Sequence, residues 1–186
     1  QNEVYFSDSI YQDEVYFHSS IYQGGATFMS STYQSGADFS GSTYQSWADF
    51  RSSAYQDHVN FSGSTYEKYA IFSTSDSPST YQGLAVFSNS TYNSWAIFSG
   101  STYQDQANFS GSTYQDETNF SGSIFYQEIY FGEDGDNGSF SRFIGCTPQF
   151  YDETNHKNTL FGSPDNDFTV DAKEGYSINL NSEGLP

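Results

Sequence analysis

An eleven-residue unit repeats along most of this chain and limits what the chain can fold into. Its cleanest copy runs from Ala37 to Trp47, and the next copy begins at Ala48. Each unit has one phenylalanine, at Phe6, Phe17, Phe28, Phe39, Phe50, Phe61 and Phe72 and, after four inserted residues, at Phe87, Phe98, Phe109, Phe120 and Phe131. A tyrosine follows five residues later, at Tyr11, Tyr22, Tyr33, Tyr44, Tyr55, Tyr66, Tyr81, Tyr92, Tyr103 and Tyr114, with Phe125 in the last copy. A short fixed period predicts stacked, nearly identical turns rather than a globular core.

Each unit contains two triplets that begin with a small residue and end with an aromatic one, such as Ala37-Asp38-Phe39 and Ser42-Thr43-Tyr44. Side chains alternate along an extended segment, so the first and third residues should point inward and the middle one outward. The period fits no single helical face, and Ser, Thr, Gly and Asn are poor helix formers. The pattern therefore predicts an all-β chain. Three outward positions depart from it because they are apolar, namely Ile71, Val86 and Ile97.

These triplets resemble the pentapeptide-repeat family, whose consensus is a small residue, Asp or Asn, an apolar residue and two variable residues. Here the spacing alternates between five and six, and the resemblance extends from Val4 to Phe131. It implies a right-handed quadrilateral β-solenoid in which two units form one coil of about 22 residues, giving about six coils and a rod about 30 Å long. The alternative is one unit per coil, as in thin ice-binding solenoids, but two aromatic residues per unit favour the wider lumen. The tyrosine column departs from the family, and its hydroxyls need partners, which the serine two residues before each tyrosine could provide.

The repeat ends at Phe131, which predicts two parts: an aromatic-ladder solenoid over residues 1–131 and a non-repeating C-terminal segment over residues 132–186. Residues 158–170 and 175–179 resemble the closing segment of secreted right-handed parallel β-helix proteins of bacteria. The resemblance implies a C-terminal cap on the last coil and an extracellular, secreted protein.

Few residues are candidates for a ligand or a modification. Asp134, Asp136 and Asn137 lie in a turn rich in oxygen atoms, a fragment of a calcium loop without its distal glutamate. The sequence suggests no cofactor other than calcium at this turn, and a solvated acidic turn is the alternative. Sequences that could be glycosylated, Asn-x-Ser/Thr, occur at Asn60, Asn89, Asn108, Asn119 and Asn137.

Charge and motif content exclude several classes of function. The formal net charge is −18 with only five basic residues, so no basic face can bind nucleic acid or an anionic membrane surface. No segment approaches the roughly 20 apolar residues of a spanning helix, so we expect no membrane insertion. His18, His58 and His156 are scattered, and no phosphate-binding loop, nucleophile motif or metal-ligand spacing occurs. We therefore expect that the chain is not an enzyme.

The remaining features favour an extracellular structural protein that assembles with itself, head to tail, into a filament or matrix. The end of a solenoid exposes unpaired backbone groups, as the edge of a sheet does. We predict that the first coil of one subunit meets the tail of the next through Val4, Phe6, Phe150, Leu160, Phe161 and Phe168. A tail that folds back as a plain cap is the alternative.

Two other functions stay open at this point. Acidic members of the pentapeptide-repeat family occupy the DNA sites of topoisomerases, so the resemblance and the charge also admit a DNA mimic. An outward threonine ladder admits ice binding, through Thr43, Thr65, Thr91, Thr102 and Thr113. In a four-sided solenoid Trp47, Tyr69 and Trp95 would share one edge, either as decoration of the bends or as a contact strip for a partner.

Overall fold

The computed structural model describes residues 2–133, 135 and 138–186 and shows an all-β chain. Its strands are short, mostly of two residues, and they wind into a four-sided parallel β-solenoid. Through the repeat, every fourth strand in chain order returns to the same face one coil further along. The short strands follow from the triplets, since each triplet spans one face and the residues between triplets turn the corner.

Four parallel sheets form the faces of the solenoid. Face 1 contains β1 (Val4–Tyr5), β5 (Ala26–Thr27), β9 (Ala48–Asp49), β13 (Ala70–Ser73), β17 (Ala96–Phe98) and β21 (Thr118–Asn119). Face 2 contains β2 (Ile10–Tyr11), β6 (Thr32–Tyr33), β10 (Ala54–Tyr55), β14 (Thr80–Tyr81), β18 (Thr102–Tyr103), β22 (Ile124–Phe125) and β27 (Leu160–Phe161). Face 3 contains β3 (Val15–Tyr16), β7 (Ala37–Asp38), β11 (Val59–Asn60), β15 (Ala85–Val86), β19 (Ala107–Asn108) and β23 (Ile129–Tyr130). Face 4 contains β4 (Ile21–Tyr22), β8 (Thr43–Tyr44), β12 (Thr65–Tyr66), β16 (Thr91–Tyr92), β20 (Thr113–Tyr114) and β24 (Arg142–Phe143), and the tail adds an antiparallel hairpin of β25 (Tyr151–Asp152) and β26 (Lys157–Asn158).

Each coil contains 22 residues, as two units per coil predict. Val4 pairs with Ala26 across neighbouring coils, and the same offset continues along all four faces apart from the inserted residues. The ring of Phe39 stacks on that of Phe61, with centroids 4.9 Å apart and an interplanar angle of 10°. It meets Phe50 edge to face instead, at 5.3 Å and 80°. The four-sided solenoid of about six coils is confirmed, and the alternative of an eleven-residue coil is wrong.

Aromatic side chains fill the lumen in four columns. Faces 1 and 3 supply phenylalanines, whose rings stack within a column and meet edge to face between columns, as Phe28 does with Phe50 at 5.0 Å and with Phe39 at 5.1 Å. Faces 2 and 4 supply tyrosines, and Tyr33 stacks on Tyr55 at 4.8 Å. From the second coil onward these rings are fully buried. Both geometries are favourable for aromatic pairs, so the core is a continuous stack rather than a collection of separate contacts.

The bend after each phenylalanine explains the recurring glycines and Asp/Asn residues. The second residue after the phenylalanine has a positive φ in nearly every copy, and glycine occupies it at Gly41, Gly63, Gly100, Gly111 and Gly122. A left-handed conformation costs least at glycine. The outward Asp or Asn accepts a hydrogen bond from the backbone amide two residues later, as Asn60 does from Ser62 at 3.0 Å. This local bond removes the Ser62 amide from the ladder between coils.

The serine two residues before each tyrosine completes the backbone hydrogen bonding between coils at these bends. We call these serines the serine column. In each case one serine hydroxyl satisfies two backbone groups of the preceding coil: the Ser64 Oγ donates to the Phe39 carbonyl at 3.2 Å and accepts from the Ser42 amide at 3.2 Å. The same bridge recurs at Ser31, Ser42, Ser53, Ser79, Ser90, Ser112, Ser123 and Ser141. The serine hydroxyls thus serve backbone groups of the preceding coil, and none of them forms a hydrogen bond of good geometry with the eight buried tyrosine hydroxyls.

The tail first continues the solenoid and then folds back over its end. Phe143 stacks on Tyr114 at 4.7 Å, and β24 and β27 extend faces 4 and 2. Gln149 and Asp167 form parallel bridges to faces 1 and 3. The chain then turns back, with Tyr176 bridging Phe143 in antiparallel fashion and Ile178 buried. A C-terminal cap is thus present, and its inner layer keeps the geometry of a coil although its sequence has no repeat.

Candidate functional site

The first described coil has no neighbouring coil on its N-terminal side among the described residues. Strands β1, β2, β3 and β4 are each the outermost strand of a face, so one side of each has no neighbour among the described residues. The outward residues here are large and apolar, unlike the Thr, Asp or Asn of most other coils, and they are 62–69% exposed: Tyr5, Ile10, Tyr16 and Ile21. The rings at the top of the four columns are packed against the core on one side only, namely Phe6, Tyr11, Phe17 and Tyr22.

The opposite end is closed by aromatic side chains of the tail. Three of the predicted assembly residues stack within the subunit: Phe150 on Phe120 at 5.4 Å, Phe161 on Phe125 at 5.6 Å and Phe168 on Phe131 at 6.4 Å. Phe150 and Phe161 remain half-buried. They line a cleft of about 570 Å³ with the exposed Leu160 and with Ile178 and Leu185 of the final segment.

The predicted assembly residues therefore lie at the two ends of the rod. Val4 and Phe6 belong to the first coil, and Phe150, Leu160, Phe161 and Phe168 belong to the last layer. Phe168 is already 93% buried within its own subunit, since only 7% of it is exposed. A contact at that end would use the cleft rather than Phe168.

The predicted calcium residues Asp134, Asp136 and Asn137 lie outside the described residues, and so does the last of the five possible glycosylation sites. Of the other four, Asn89 is exposed, whereas Asn60, Asn108 and Asn119 are half-buried on faces 3 and 1. The side-chain oxygen of each of these three accepts a hydrogen bond from the backbone amide two residues on.

Eight tyrosine hydroxyls lie in the lumen without a hydrogen-bond partner, at Tyr33, Tyr44, Tyr55, Tyr66, Tyr81, Tyr92, Tyr103 and Tyr114. Burial raises the pKa of all eight phenols above the usual 10, because a charged phenolate would be placed in an apolar stack. The two tyrosine columns each change to phenylalanine in a C-terminal coil, at Phe125 and Phe143. The hydroxyl is thus not needed for stacking.

The outward threonines form two ladders and not one. Thr102 lies on face 2, opposite the ladder of face 4, because alternate units fall on opposite faces when a coil has two units. Face 4 carries an unbroken run of half-buried threonines in register: Thr43, Thr65, Thr91 and Thr113. On face 2 the run is interrupted by Ala54.

Outward carboxylates do not line up along the rod. The position two residues before the strands of face 3 carries Asp13, Ser35, Asp57, Gly83 and Asp105 in successive coils. The outward strand position of the same face carries Tyr16, Asp38, Asn60 and Val86 in the first four coils. Negative charge is therefore dispersed between neutral residues.

One edge of the rod carries the three exposed aromatic side chains noted in the sequence. Trp47, Tyr69 and Trp95 precede the strands of face 1 in successive coils, and their backbones are joined, since the Ala48 amide bonds the Tyr69 carbonyl and the Ala70 amide bonds the Trp95 carbonyl. Tyr69 is 43% and Trp95 51% exposed, and Trp47 is half-buried. We call these three residues the aromatic edge.

Other kinds of site are not formed by the described residues. Nowhere in residues 2–133, 135 and 138–186 do three His, Cys, Asp or Glu side chains gather as metal ligands. The described part of the chain has no helix that is long and apolar enough to cross a membrane. Comparison of the chain with models of known protein families, with characterised proteins and with solved structures gave no significant match.

Proposed function

We propose that this chain is a non-enzymatic, extracellular structural protein whose β-solenoid subunits assemble head to tail into a filament or matrix. The observation that supports this most is the first described coil, whose four strands have no neighbour on one side among the described residues and whose outward Tyr5, Ile10, Tyr16 and Ile21 are exposed. A side chain of this size contributes about 1.5–3 kcal/mol when it is fully buried. A solenoid that stays monomeric is expected to cover such an end with polar residues.

The partner surface in this proposal is the cleft at the far end of a second copy. Its apolar lining of Phe150, Leu160, Phe161, Ile178 and Leu185 suits the apolar first coil. The two surfaces differ, so the contact is heterologous and propagates without closing. Each subunit adds its length along the same axis, which yields a rod-like polymer.

Charge sets the conditions for this assembly. Every subunit has a formal charge of −18, so the subunits repel one another at low ionic strength. Salt screens this repulsion over a Debye length of about 10 Å at 0.1 M. Calcium should act more strongly if Asp134, Asp136 and Asn137 bind it. We therefore expect longer polymers with added salt and longer still with calcium.

The test compares two end variants with a mid-rod control by light scattering and electron microscopy at increasing protein concentration. Ile10→Thr and Ile21→Thr replace exposed apolar residues by the residue usual at that position in other coils. Each variant should therefore fold as the parent does but assemble poorly. Val86→Thr makes a comparable change in the middle of the rod and should assemble as the parent does. A strictly monomeric parent at every salt and calcium concentration would contradict the proposal.

Extracellular location is part of the proposal, supported by the resemblance of residues 158–170 and 175–179 to the closing segments of secreted β-helix proteins. Membership of the pentapeptide-repeat family is also part of the proposal, and the small-x-aromatic triplets support it. Extracellular location also suits glycosylation at Asn60, Asn89, Asn108, Asn119 or Asn137. Mass spectrometry of the protein from its native source would detect these glycans.

Ice binding is the second candidate, because face 4 aligns Thr43, Thr65, Thr91 and Thr113 in a regular ladder. In this case ice-growth inhibition should fall when Thr65 and Thr91 are replaced by Lys and should persist in the Ile10→Thr variant. A DNA mimic is less well supported, since carboxylates such as Asp13, Asp57 and Asp105 alternate with neutral residues and do not follow the phosphate spacing of a duplex.

A further inference from the structure

The aromatic edge is a rigid feature of the coil backbone. Its three residues occupy the same position in successive coils, about 4.8 Å apart, and each carbonyl accepts a hydrogen bond from the preceding coil. Gly25 occupies this position one coil earlier, and a Cβ added there would come within 2.2 Å of the Trp47 ring. The Trp47 indole thus packs over the Gly25 backbone, and glycine provides the space. The rings are presented by a fixed scaffold rather than by a flexible loop.

Apolar surface continues from this edge onto face 1. Ile71 and Ile97 pair in register and lie two residues after Tyr69 and Trp95, on the same outward side of the strands. They are two of the three outward positions, with Val86, at which an apolar residue departs from the repeat. Both isoleucines are half-buried. Together with Tyr69 and Trp95 they form an apolar strip about one side chain wide, which ends at the outward Asp49 in the coil of Trp47.

The diagonally opposite edge provides a built-in comparison. It precedes the strands of face 3 in the same way but carries Gly36, His58, Leu84 and Gln106. It contains no Trp or Tyr in these coils, although its backbone geometry is equivalent. The aromatic edge is therefore not a requirement of the fold.

The local charge around the aromatic edge is close to neutral, in contrast to the chain as a whole. Asp49 is paired with Arg51 at 2.6 Å, and Glu67 is followed directly by Lys68. Two of the five basic residues thus offset carboxylates at this edge. The residues two positions before Trp47 and Trp95, Gln45 and Asn93, are uncharged, and the neutral stretch ends at Trp95, because Glu117 occupies the same position in the next coil.

We propose that the aromatic edge binds an extended, neutral β-1,4-linked polysaccharide. The C–H faces of its sugar rings would stack on Trp47, Tyr69 and Trp95, and its hydroxyls would reach the uncharged polar side chains of the bends. Aromatic side chains combine large apolar faces with polar tips and suit such an amphipathic ligand. The neutral surroundings neither attract a cation nor offer the positive charge that nucleic acid requires, which excludes base stacking as the purpose.

The spacing supports an extended ligand that runs parallel to the rod axis. One coil advances about 4.8 Å, so Trp47 and Trp95 lie about 10 Å apart, a step on the order of one disaccharide. A straight chain of β-linked hexoses would then place successive sugars over successive rings. A compact or strongly branched glycan would reach one ring only.

The chain has two tryptophans, and both belong to the aromatic edge. Intrinsic tryptophan fluorescence therefore reports binding directly. The probes are hexamers of β-1,4-linked glucose and of β-1,4-linked N-acetylglucosamine, together with sedimentation on cellulose and chitin. We expect saturable fluorescence changes with at least one hexamer and weaker binding to its disaccharide.

Variants distinguish binding at this site from nonspecific adsorption of the glycan. Trp95→Ala and Tyr69→Ala should each weaken binding about three- to tenfold, in line with the energy of single aromatic contacts. Leu84→Ala, at the equivalent position of the opposite edge, should bind as the parent does, and circular dichroism should show that all variants keep the fold. Absence of binding to both hexamers and both solids would overturn the proposal, as would equal binding by Trp95→Ala and Leu84→Ala. Loss of lateral self-association in Trp95→Ala without any glycan binding would assign the edge to a second copy of the chain and would likewise overturn it.

Discussion

Phe61 lies in the middle of a lumen column, and its replacement by alanine tests how the stack stabilises the rod. Its ring stacks on Phe39 at 4.9 Å and on Phe87 at 5.1 Å. It also meets Phe50 at 5.0 Å and Phe72 at 5.1 Å edge to face. The side chain is fully buried. Removing a buried phenylalanine typically costs about 3–5 kcal/mol, through lost transfer energy and the cavity that remains.

We expect Phe61→Ala to reach the upper part of that range. Collapse around the cavity is hindered, because the neighbouring coils are held at a fixed spacing by their backbone hydrogen bonds. Thr65→Ala, on the outside of face 4, should change the free energy of unfolding by no more than about 0.5 kcal/mol. Denaturant unfolding followed by circular dichroism measures both variants. Equal losses for the two would refute the assignment of inward and outward positions.

Three further predictions concern the serine column and the tyrosine columns. Ser64→Ala should cost about 1–3 kcal/mol in denaturant unfolding, because it leaves the buried Phe39 carbonyl and Ser42 amide without partners. Tyr66→Phe should instead raise the free energy of unfolding by about 1 kcal/mol, since it removes a buried hydroxyl without a partner; a loss of stability would show that this hydroxyl is bonded in solution. The contribution of these tyrosines to stability should be constant below a pH of about 10 and fall above it, because unfolded tyrosines ionise there while the eight buried ones, whose pKa values are raised, keep their protons. Ultraviolet titration should accordingly show the exposed tyrosines ionising first and the eight buried ones only with unfolding.

The coil could be predicted from sequence because its determinants are local and repeated. The alternation within Ala37-Asp38-Phe39 fixes which side chains face the lumen, and two aromatic residues per unit require a wide cross-section. Once one coil contains two units, the register of all four faces follows from the period. The segment 73–78, which contains the four inserted residues, does not disturb it, because it is accommodated in one corner, where Thr74 and Ser77 form a small bridge.

The serine bridge could not be predicted because it joins the hydroxyl to backbone groups of the preceding coil. Where Asn60 accepts from the Ser62 amide, Ser64 donates to the Phe39 carbonyl, but Ser90 makes the same bridge to Phe61 in a coil that carries Val86 instead. Sequence shows that serine recurs but not which backbone group is left without a partner in the coil before. The buried hydroxyl of Tyr66 suggested a hydrogen-bond partner, but the structure provides none at hydrogen-bonding geometry.

The inner layer of the tail was missed because its aromatic residues have no fixed spacing. Residues Phe143, Phe150, Phe161 and Phe168 are separated by unequal loops, although each stacks on a column of the last complete coil. A signal was present: Ser141-Arg142-Phe143 and Thr159-Leu160-Phe161 both keep the small-x-aromatic triplet. Searching for triplets independently of the period would have found them.

Diffraction from aligned, concentrated protein tests the proposal of head-to-tail assembly most directly. The strands run across the rod, so coils stacked end to end repeat about every 4.7–4.8 Å along the axis. We predict filaments with a reflection at this spacing on the meridian, and electron microscopy of the same material should show a width of one subunit. Isolated short rods at all concentrations, or filaments in which this reflection lies on the equator, would contradict head-to-tail assembly.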